Sequence, residues 1–138
     1  MDQNAYEGGC LCGETRWRAS GPPRHRLICH CRSCARAAGA NGVPWATFDR
    51  TAFEFQGREP AQYASSPPVR RTFCSRCGTT LTYFHEKRPG DIDVATATLD
   101  DPTRIEPLGH IWMDDALPWE VRAHELPRHR RFSAGGDG

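Results

Sequence analysis

Several windows of this chain alternate apolar and polar residues or are rich in β-formers, and few show the three-to-four spacing of an amphipathic helix. β-rich or alternating runs cover 14–19, 26–29, 45–48, 52–55, 71–74, 79–84 and 91–97. Gly21-Pro22-Pro23, Gly57, Pro67-Pro68 and Pro89-Gly90 punctuate them, because glycine and proline favour turns over continued strands. The segment 79–97 reads most plainly, as a hairpin of two β-rich runs around a Pro-Gly turn. One short helix is predicted over 32–38, where Ala35, Ala37 and Ala38 favour helix and Gly39 suits the left-handed residue past its end. A second helical turn is expected at 114–119. Many short strands with little helix predict a mainly β fold, an all-β sheet or open barrel.

A chain of 138 residues fits one compact domain. A domain of this size folds with a modest margin, which a metal cross-link would widen. We expect that domain over residues 1–127, with a flexible polar tail at 128–138. The 18 Lys+Arg nearly balance the 17 Asp+Glu, so strong non-specific attraction to nucleic acid or anionic lipid is not expected. Local basic runs at 24–26, 70–71 and 128–131 read as solvated surface. No stretch approaches the roughly 18 apolar residues of a membrane helix, and the first residues lack a signal peptide's basic and apolar regions. These features predict a cytoplasmic protein, where thiols stay reduced.

Seven cysteines in such a compartment need a role other than disulfides, and an odd number cannot pair off completely. They fall in three clusters: Cys10-Leu11-Cys12-Gly13, Cys29-His30-Cys31-Arg32-Ser33-Cys34 and Cys74-Ser75-Arg76-Cys77-Gly78. A glycine after the last cysteine lets the chain turn tightly, so that neighbouring N–H groups face the sulfurs. Zinc takes four ligands in a tetrahedron, and Cys10, Cys12, Cys74 and Cys77 make the obvious closed set. Such a site would close a long loop, where a cross-link should stabilise most. Cys29, Cys31 and Cys34 remain, close enough to bind a second ion with an open fourth position, as catalytic zinc sites do. Three other readings stand beside this one. A C-x-x-C pair can be redox-active, although the accompanying βαβ pattern is missing. A histidine (His25, His30 or His85) can close the three-thiol cluster into a structural site. The thiols can also divide differently between two ions, and tetrahedral thiolate sites serve iron–sulfur chemistry as well as zinc.

Three ordered segments carry a family resemblance: 8–16 (Gly-Gly-Cys-Leu-Cys-Gly-Glu-Thr-Arg), Cys29 to Cys34 with Gly39-Ala40 behind it, and 73–81 (Phe-Cys-Ser-Arg-Cys-Gly-Thr-Thr-Leu). Together with His110-Ile111-Trp112, Trp119 and the Leu126-Pro127 ending, they resemble the glutathione-dependent formaldehyde-activating enzyme family, which includes centromere protein V type domains. The resemblance spans roughly residues 6 to 127. It implies a β-tent similar to the Mss4-like fold. It implies a structural zinc on Cys10, Cys12, Cys74 and Cys77 and a catalytic zinc on Cys29, Cys31 and Cys34. It also implies a carbon–sulfur lyase reaction on a thiol–aldehyde adduct such as S-hydroxymethylglutathione, with glutathione or another thiol as small-molecule partner. A zinc lyase, isomerase or epimerase of another small metabolite is the alternative enzyme. A non-enzymatic zinc module binding a macromolecule is the alternative of another class. His30, His85, Glu86 and His110 are candidate proton carriers. Trp45, Trp112 and Trp119 are candidate pocket walls, with core burial expected for at least two of them. Arg32, Arg36, Arg70 and Arg71 are candidate carboxylate partners, each also readable as solvated surface. Edge strands of a small open sheet allow a homodimer.

Overall fold

The computed structural model describes residues 3–133. Residues 134–138 of the expected tail lie outside the described residues, and 128–133 are exposed and without regular structure.

The architecture is mainly β, as the alternation predicts, and it is built from two sheets. β1 (Ala5–Gly9), β2 (Thr15–Ser20) and β5 (Phe53–Gly57) form a three-stranded antiparallel sheet in the order β1-β2-β5. The larger sheet has seven strands in the order β10-β3-β4-β9-β8-β7-β6. Its members are β3 (His25–Cys29), β4 (Val43–Asp49), β6 (Ala61–Ser66), β7 (Val69–Phe73), β8 (Thr80–His85), β9 (Asp91–Ala95) and β10 (Gly109–Ile111). The predicted 79–97 hairpin is β8–β9, paired through Thr82–Val94 and Tyr83–Asp93. The predicted helix is α1 (Arg32–Ala38), ended by Gly39 at φ 66°. Of the turn expected at 114–119, residues 114–115 are helical, within the 3-10 segment Met113–Asp115, and a second 3-10 segment, Glu120–Glu125, begins just after it.

Alternation along the central strands divides the interior in two. Ala46 and Phe48 of β4, with Ile92 and Val94 of β9, face the small sheet and pack on Trp17 and Ala19 of β2. Val43 and Trp45 of β4, with Ala95, face the opposite way and pack against Cys29 and Cys34. β4 is therefore apolar on both faces, as a central strand covered on both sides should be. A register shift in the β7–β8 pairing, between Thr72 and Phe73, lets Leu81 and Thr82 both be buried while Tyr83 turns to the second face.

Three strands escaped the sequence reading. β6 is almost entirely exposed and polar, which suits an edge strand but leaves no apolar alternation. β10 has three residues and pairs in parallel with β3, far away in sequence. β1 ends in Gly8-Gly9, which reads locally as a turn.

Candidate functional site

All seven cysteines sort into the two predicted groups: Cys10, Cys12, Cys74 and Cys77 in one, Cys29, Cys31 and Cys34 in the other. Within each group the sulfurs lie within 4.8 Å of one another, so either could hold a metal ion.

The four-thiol group is built from two similar turns. After β1, Gly13 adopts φ 80° and its N–H bonds the Cys10 carbonyl at 3.0 Å. After β7, Gly78 adopts φ 81° and its N–H bonds the Cys74 carbonyl at 2.9 Å. This left-handed geometry is the one glycine adopts without strain. Backbone donors then point at sulfur: the Thr15 N–H at Cys10 (3.3 Å), and the Arg76 and Cys77 N–H groups at Cys74 (both 3.4 Å). Such donors favour thiolate over thiol. The Thr79 hydroxyl, ahead of backbone bonds from Thr79 and Cys12, pulls the Cys77 thiol down to about 5. A tetrahedral ion with metal–sulfur bonds of about 2.3 Å needs sulfurs about 3.8 Å apart. Cys10 to Cys12 is 3.5 Å and Cys12 to Cys74 is 3.8 Å. The donor set fits.

The three-thiol group sits where β3 gives way to α1. Cys29 ends the strand, Cys31 caps the helix by accepting the Cys34 N–H at 3.3 Å, and Cys34 lies in the first turn. Cys29 and Cys34 are buried and Cys31 is half-buried. Burial pushes the Cys29 thiol up to about 12. Burial acts on Cys31 too, but the Cys34 N–H, the neighbouring thiols and the Arg71 guanidinium outweigh it and hold Cys31 below the usual thiol value. Among the described residues no histidine or carboxylate joins this group.

This second group opens on a cavity of about 590 Å³, whose lining includes all three of its cysteines and none of the other four. Trp45 and Tyr83 line one side, their rings 6.2 Å apart. Arg71, Arg88 and Asp93 line the cavity as well. Arg88 is neutralised by Asp93 at 3.1 Å and Asp91 at 3.3 Å, and Asp93 also accepts the Thr47 hydroxyl. Arg71 is different. It is 7% exposed, stacks over the Tyr83 ring at 4.9 Å and bonds Ser65 Oγ at 3.2 Å. Its two terminal nitrogens stand 3.8 and 3.7 Å from Cys34 Sγ. The solvated-surface reading is thus overturned for Arg71: its place on β7, opposite Tyr83, turns it inward. Arg70, one residue earlier on the other face, pairs with Glu86 at 3.3 Å, and Arg36 is exposed. Arg32 lines the cavity.

The remaining wall comes from the C-terminal segment, through Ile111, Trp112 and Asp115. His30 anchors this segment. Its backbone N–H bonds the Ile111 carbonyl at 3.0 Å. Its ring is buried, with Nδ1 2.8 Å from Glu120 Oε1 and Nε2 2.9 Å from His110 Nδ1. Glu120 also accepts the Leu117 N–H; this bond, and then His30, hold its carboxyl below the usual range. Trp112 follows β10 at φ 59°, a left-handed conformation unusual for a bulky residue.

Several expectations change accordingly. His30 has both ring nitrogens engaged and does not close the three-thiol group. His85 sits at the β8–β9 hairpin, where its Nδ1 accepts the Lys87 N–H at 3.1 Å, and Glu86 is next to it. None of His30, His85, Glu86 or His110 lines the cavity; among histidines, His25 does. Of the three tryptophans, Trp45 alone is core, while Trp112 is 62% and Trp119 54% exposed, so the expectation that two would be buried fails. The core tryptophan missed by that count is Trp17, which is 1% exposed. Tyr83, Asp93 and Asp115 carried no motif that could have marked them; only strand register and the C-terminal segment bring them to the cavity.

A family model for glutathione-dependent formaldehyde-activating enzyme matches residues 5–115. A Halomonas elongata protein named "Putative glutathione-dependent formaldehyde-activating enzyme" is 28% identical over 132 residues, covering 88% of this chain and 84% of that protein. An uncharacterised lyase of Schizosaccharomyces pombe is 30% identical over 86 residues, covering 61% of this chain and 62% of that lyase. A Rhodobacter sphaeroides protein of known structure shares the fold, with a TM-score of 0.61 at 18% identity over 75% of this chain and 98% of that one.

Proposed function

The chain belongs to the glutathione-dependent formaldehyde-activating enzyme family, and from that premise we propose that it is a zinc-dependent carbon–sulfur lyase acting on a thiol–aldehyde adduct such as S-hydroxymethylglutathione. Cys10, Cys12, Cys74 and Cys77 would hold a structural zinc, and Cys29, Cys31 and Cys34 a reactive one. The observation that carries this reading is the difference between the two clusters. The first has four thiols, none of which lines the cavity described above. The second has three thiols, no fourth protein ligand among the described residues, and an opening onto about 590 Å³ of space. Three protein ligands and a free position distinguish reactive from structural zinc sites.

A zinc ion in the second cluster would supply Lewis acidity, stabilising a thiolate near neutral pH. The reaction itself is simple to balance. A thiol and formaldehyde join by one new carbon–sulfur bond; the carbonyl π bond opens, the thiol loses a proton and the former carbonyl oxygen gains one. Cleavage runs the same changes backwards. This chain's residues orient the two reactants and exclude water. Trp45, which packs with Cys29 and Cys34, and Val69 are apolar members of the cavity lining. Tyr83 lines the same cavity and packs against the cluster holding Cys29 and Cys34, and its hydroxyl is the proposed donor to the aldehyde oxygen. A closing histidine would favour a macromolecule-binding module with two structural sites; among the described residues none joins the three-thiol group, and His30 is engaged with Glu120 and His110.

The test is metal analysis of protein purified without added metal, comparing wild type with Cys31→Ser. About two zinc ions falling to about one, with the fold kept and thiol–formaldehyde adduct turnover lost, is the expected result. One zinc in both proteins would remove the reactive centre and with it the reading.

A further inference from the structure

Arg71 is a buried cation without a carboxylate. Among the described residues its partners are Ser65 Oγ, the Cys34 sulfur and the face of Tyr83. A guanidinium carries five N–H groups in a rigid fork. Nε takes Ser65, and one N–H on each terminal nitrogen takes Cys34, so two N–H groups remain. A buried charge normally keeps a hydrogen-bonded counter-charge, because desolvation is otherwise costly. Arg88, on the same cavity, shows the ordinary solution with its two aspartates. A second orphan donor lies nearby: the Trp45 indole N–H is buried without an acceptor among the described residues, and Trp45 lines the same cavity. Buried donors left over in a concave site are where a ligand's acceptors belong.

Distance then limits the ligand. Both terminal nitrogens of Arg71 are within 3.8 Å of Cys34 Sγ. An anion one hydrogen bond from that guanidinium is therefore beside the three-thiol cluster and not at the far end of the cavity. We propose that Arg71 is a specificity-determining residue that binds a carboxylate two or three bonds from the substrate's sulfur, so that this site takes a compact mercapto-carboxylate as its thiol and not a long peptide thiol. In the cysteinyl tripeptide the nearest carboxylates are twice as many bonds from sulfur. This inference rests on the thiol–aldehyde reading above: it keeps that reaction and replaces its glutathione example with a smaller acidic thiol.

Arg71 also offsets the negative charge of three thiolates. A role confined to that offset would change metal content and affect every thiol alike. A carboxylate-binding role affects acidic thiols selectively. The experiment is isothermal titration of the full chain, its zinc content measured, with 3-mercaptopropionate, 2-mercaptoethanol, glutathione and propionate, on wild type, Arg71→Met and Arg71→Lys. We expect wild type to bind 3-mercaptopropionate at least tenfold more tightly than 2-mercaptoethanol or glutathione. That preference should shrink to within twofold in Arg71→Met and partly survive in Arg71→Lys, which keeps the charge and loses the fork. Should Arg71→Met lose zinc or fail to fold, Arg71→Lys decides, because a pure charge offset predicts an unchanged preference there. Equal affinity of wild type for the acidic and neutral small thiols overturns the inference and leaves the thiol–aldehyde reading intact. So does tighter binding of glutathione. Arg71-dependent binding of propionate with no thiol binding would keep the carboxylate contact and sink the thiol–aldehyde reading. Binding of none of the four would overturn both.

Discussion

Gly8 illustrates how one residue carries two messages. In sequence, Gly8 opens the motif at 8–16; in the structure it is mid-register in β1, opposite Trp17. The reason for glycine is space. A Cβ there would lie 2.3 Å from the Thr98 carbonyl oxygen and 2.6 Å from the Trp17 ring. Neither can withdraw, since Trp17 is a main core side chain and its Nε1 is tied to Thr98 Oγ1 at 3.0 Å. Gly8→Ala should therefore cost about 2–3 kcal/mol, as overpacked cores do. Urea titration should show a lower midpoint at unchanged slope; a loss below about 0.5 kcal/mol would mean that β1 can move aside. Arg71 gives the complementary case. Its neighbour Arg70 has the same identity and the opposite fate, half-buried on the other face and paired with Glu86, because strand residues alternate faces. Composition could not separate them. Register did.

At the scale of elements, local chemistry explains α1 well. Cys31 caps it, three alanines fill it and Gly39 ends it in the left-handed region. The strands with alternating apolar residues, β2, β4, β8 and β9, were equally legible. β6 and β10 were not, since an exposed edge strand needs no apolar residues and a three-residue strand pairs only because its partner is already in place. Some joints between elements are electrostatic. Arg16 of β2 grips Asp100 with both terminal nitrogens, at 2.8 and 2.5 Å, and holds its carboxyl below the usual aspartate range. Because the folded value is lowered, the pair stabilises the fold fully above the ordinary aspartate pKa of about 3.9. That stability is lost as pH falls through the folded value. The two side chains are 37% and 54% exposed, so solvent screening limits the pair to under about 1 kcal/mol. Asp100→Asn should thus be slightly less stable than wild type at pH 7 and equal to it near pH 2. A gap that persists undiminished in acid would assign the effect to something other than the ion pair.

For the whole molecule, the four-thiol cluster joins parts that are remote in the chain. Cys12 and Cys74 are 62 positions apart, and the turns bearing them are further tied by the Leu11 N–H to Thr79 Oγ1 at 3.0 Å. β1 and β2 belong to the small sheet and β7 and β8 to the large one, so an ion there would clamp the two sheets at one end. Removing metal with a strong chelator at pH 7 should cost about 3 kcal/mol or more, a fall of roughly 10 °C in melting temperature, restored by adding zinc. A melting temperature within about 2 °C of the untreated protein would show that the clamp contributes nothing. The same treatment of Cys74→Ser should produce a much smaller shift, since that protein has already lost the clamp. Among the described residues no helix is long and apolar enough to cross a membrane.

The sequence by itself determined the mainly β class, the helix with its stop at Gly39 and the β8–β9 hairpin, and it offered the division of seven cysteines into four and three that the structure brings together. These are readable because they rest on short-range facts: side-chain alternation, turn residues, and ligand spacing that a metal's fixed geometry demands. Only the tertiary structure decided which cluster faces a cavity, that Arg71 and Tyr83 line it, that His30 is committed to Glu120 and His110, and that Trp112 stands exposed at its rim. Those assignments depend on strand order, on a register shift in β7–β8 and on a parallel pairing between β3 and β10. Each is set by the packing of two sheets across the whole chain, and no local window of sequence contains it.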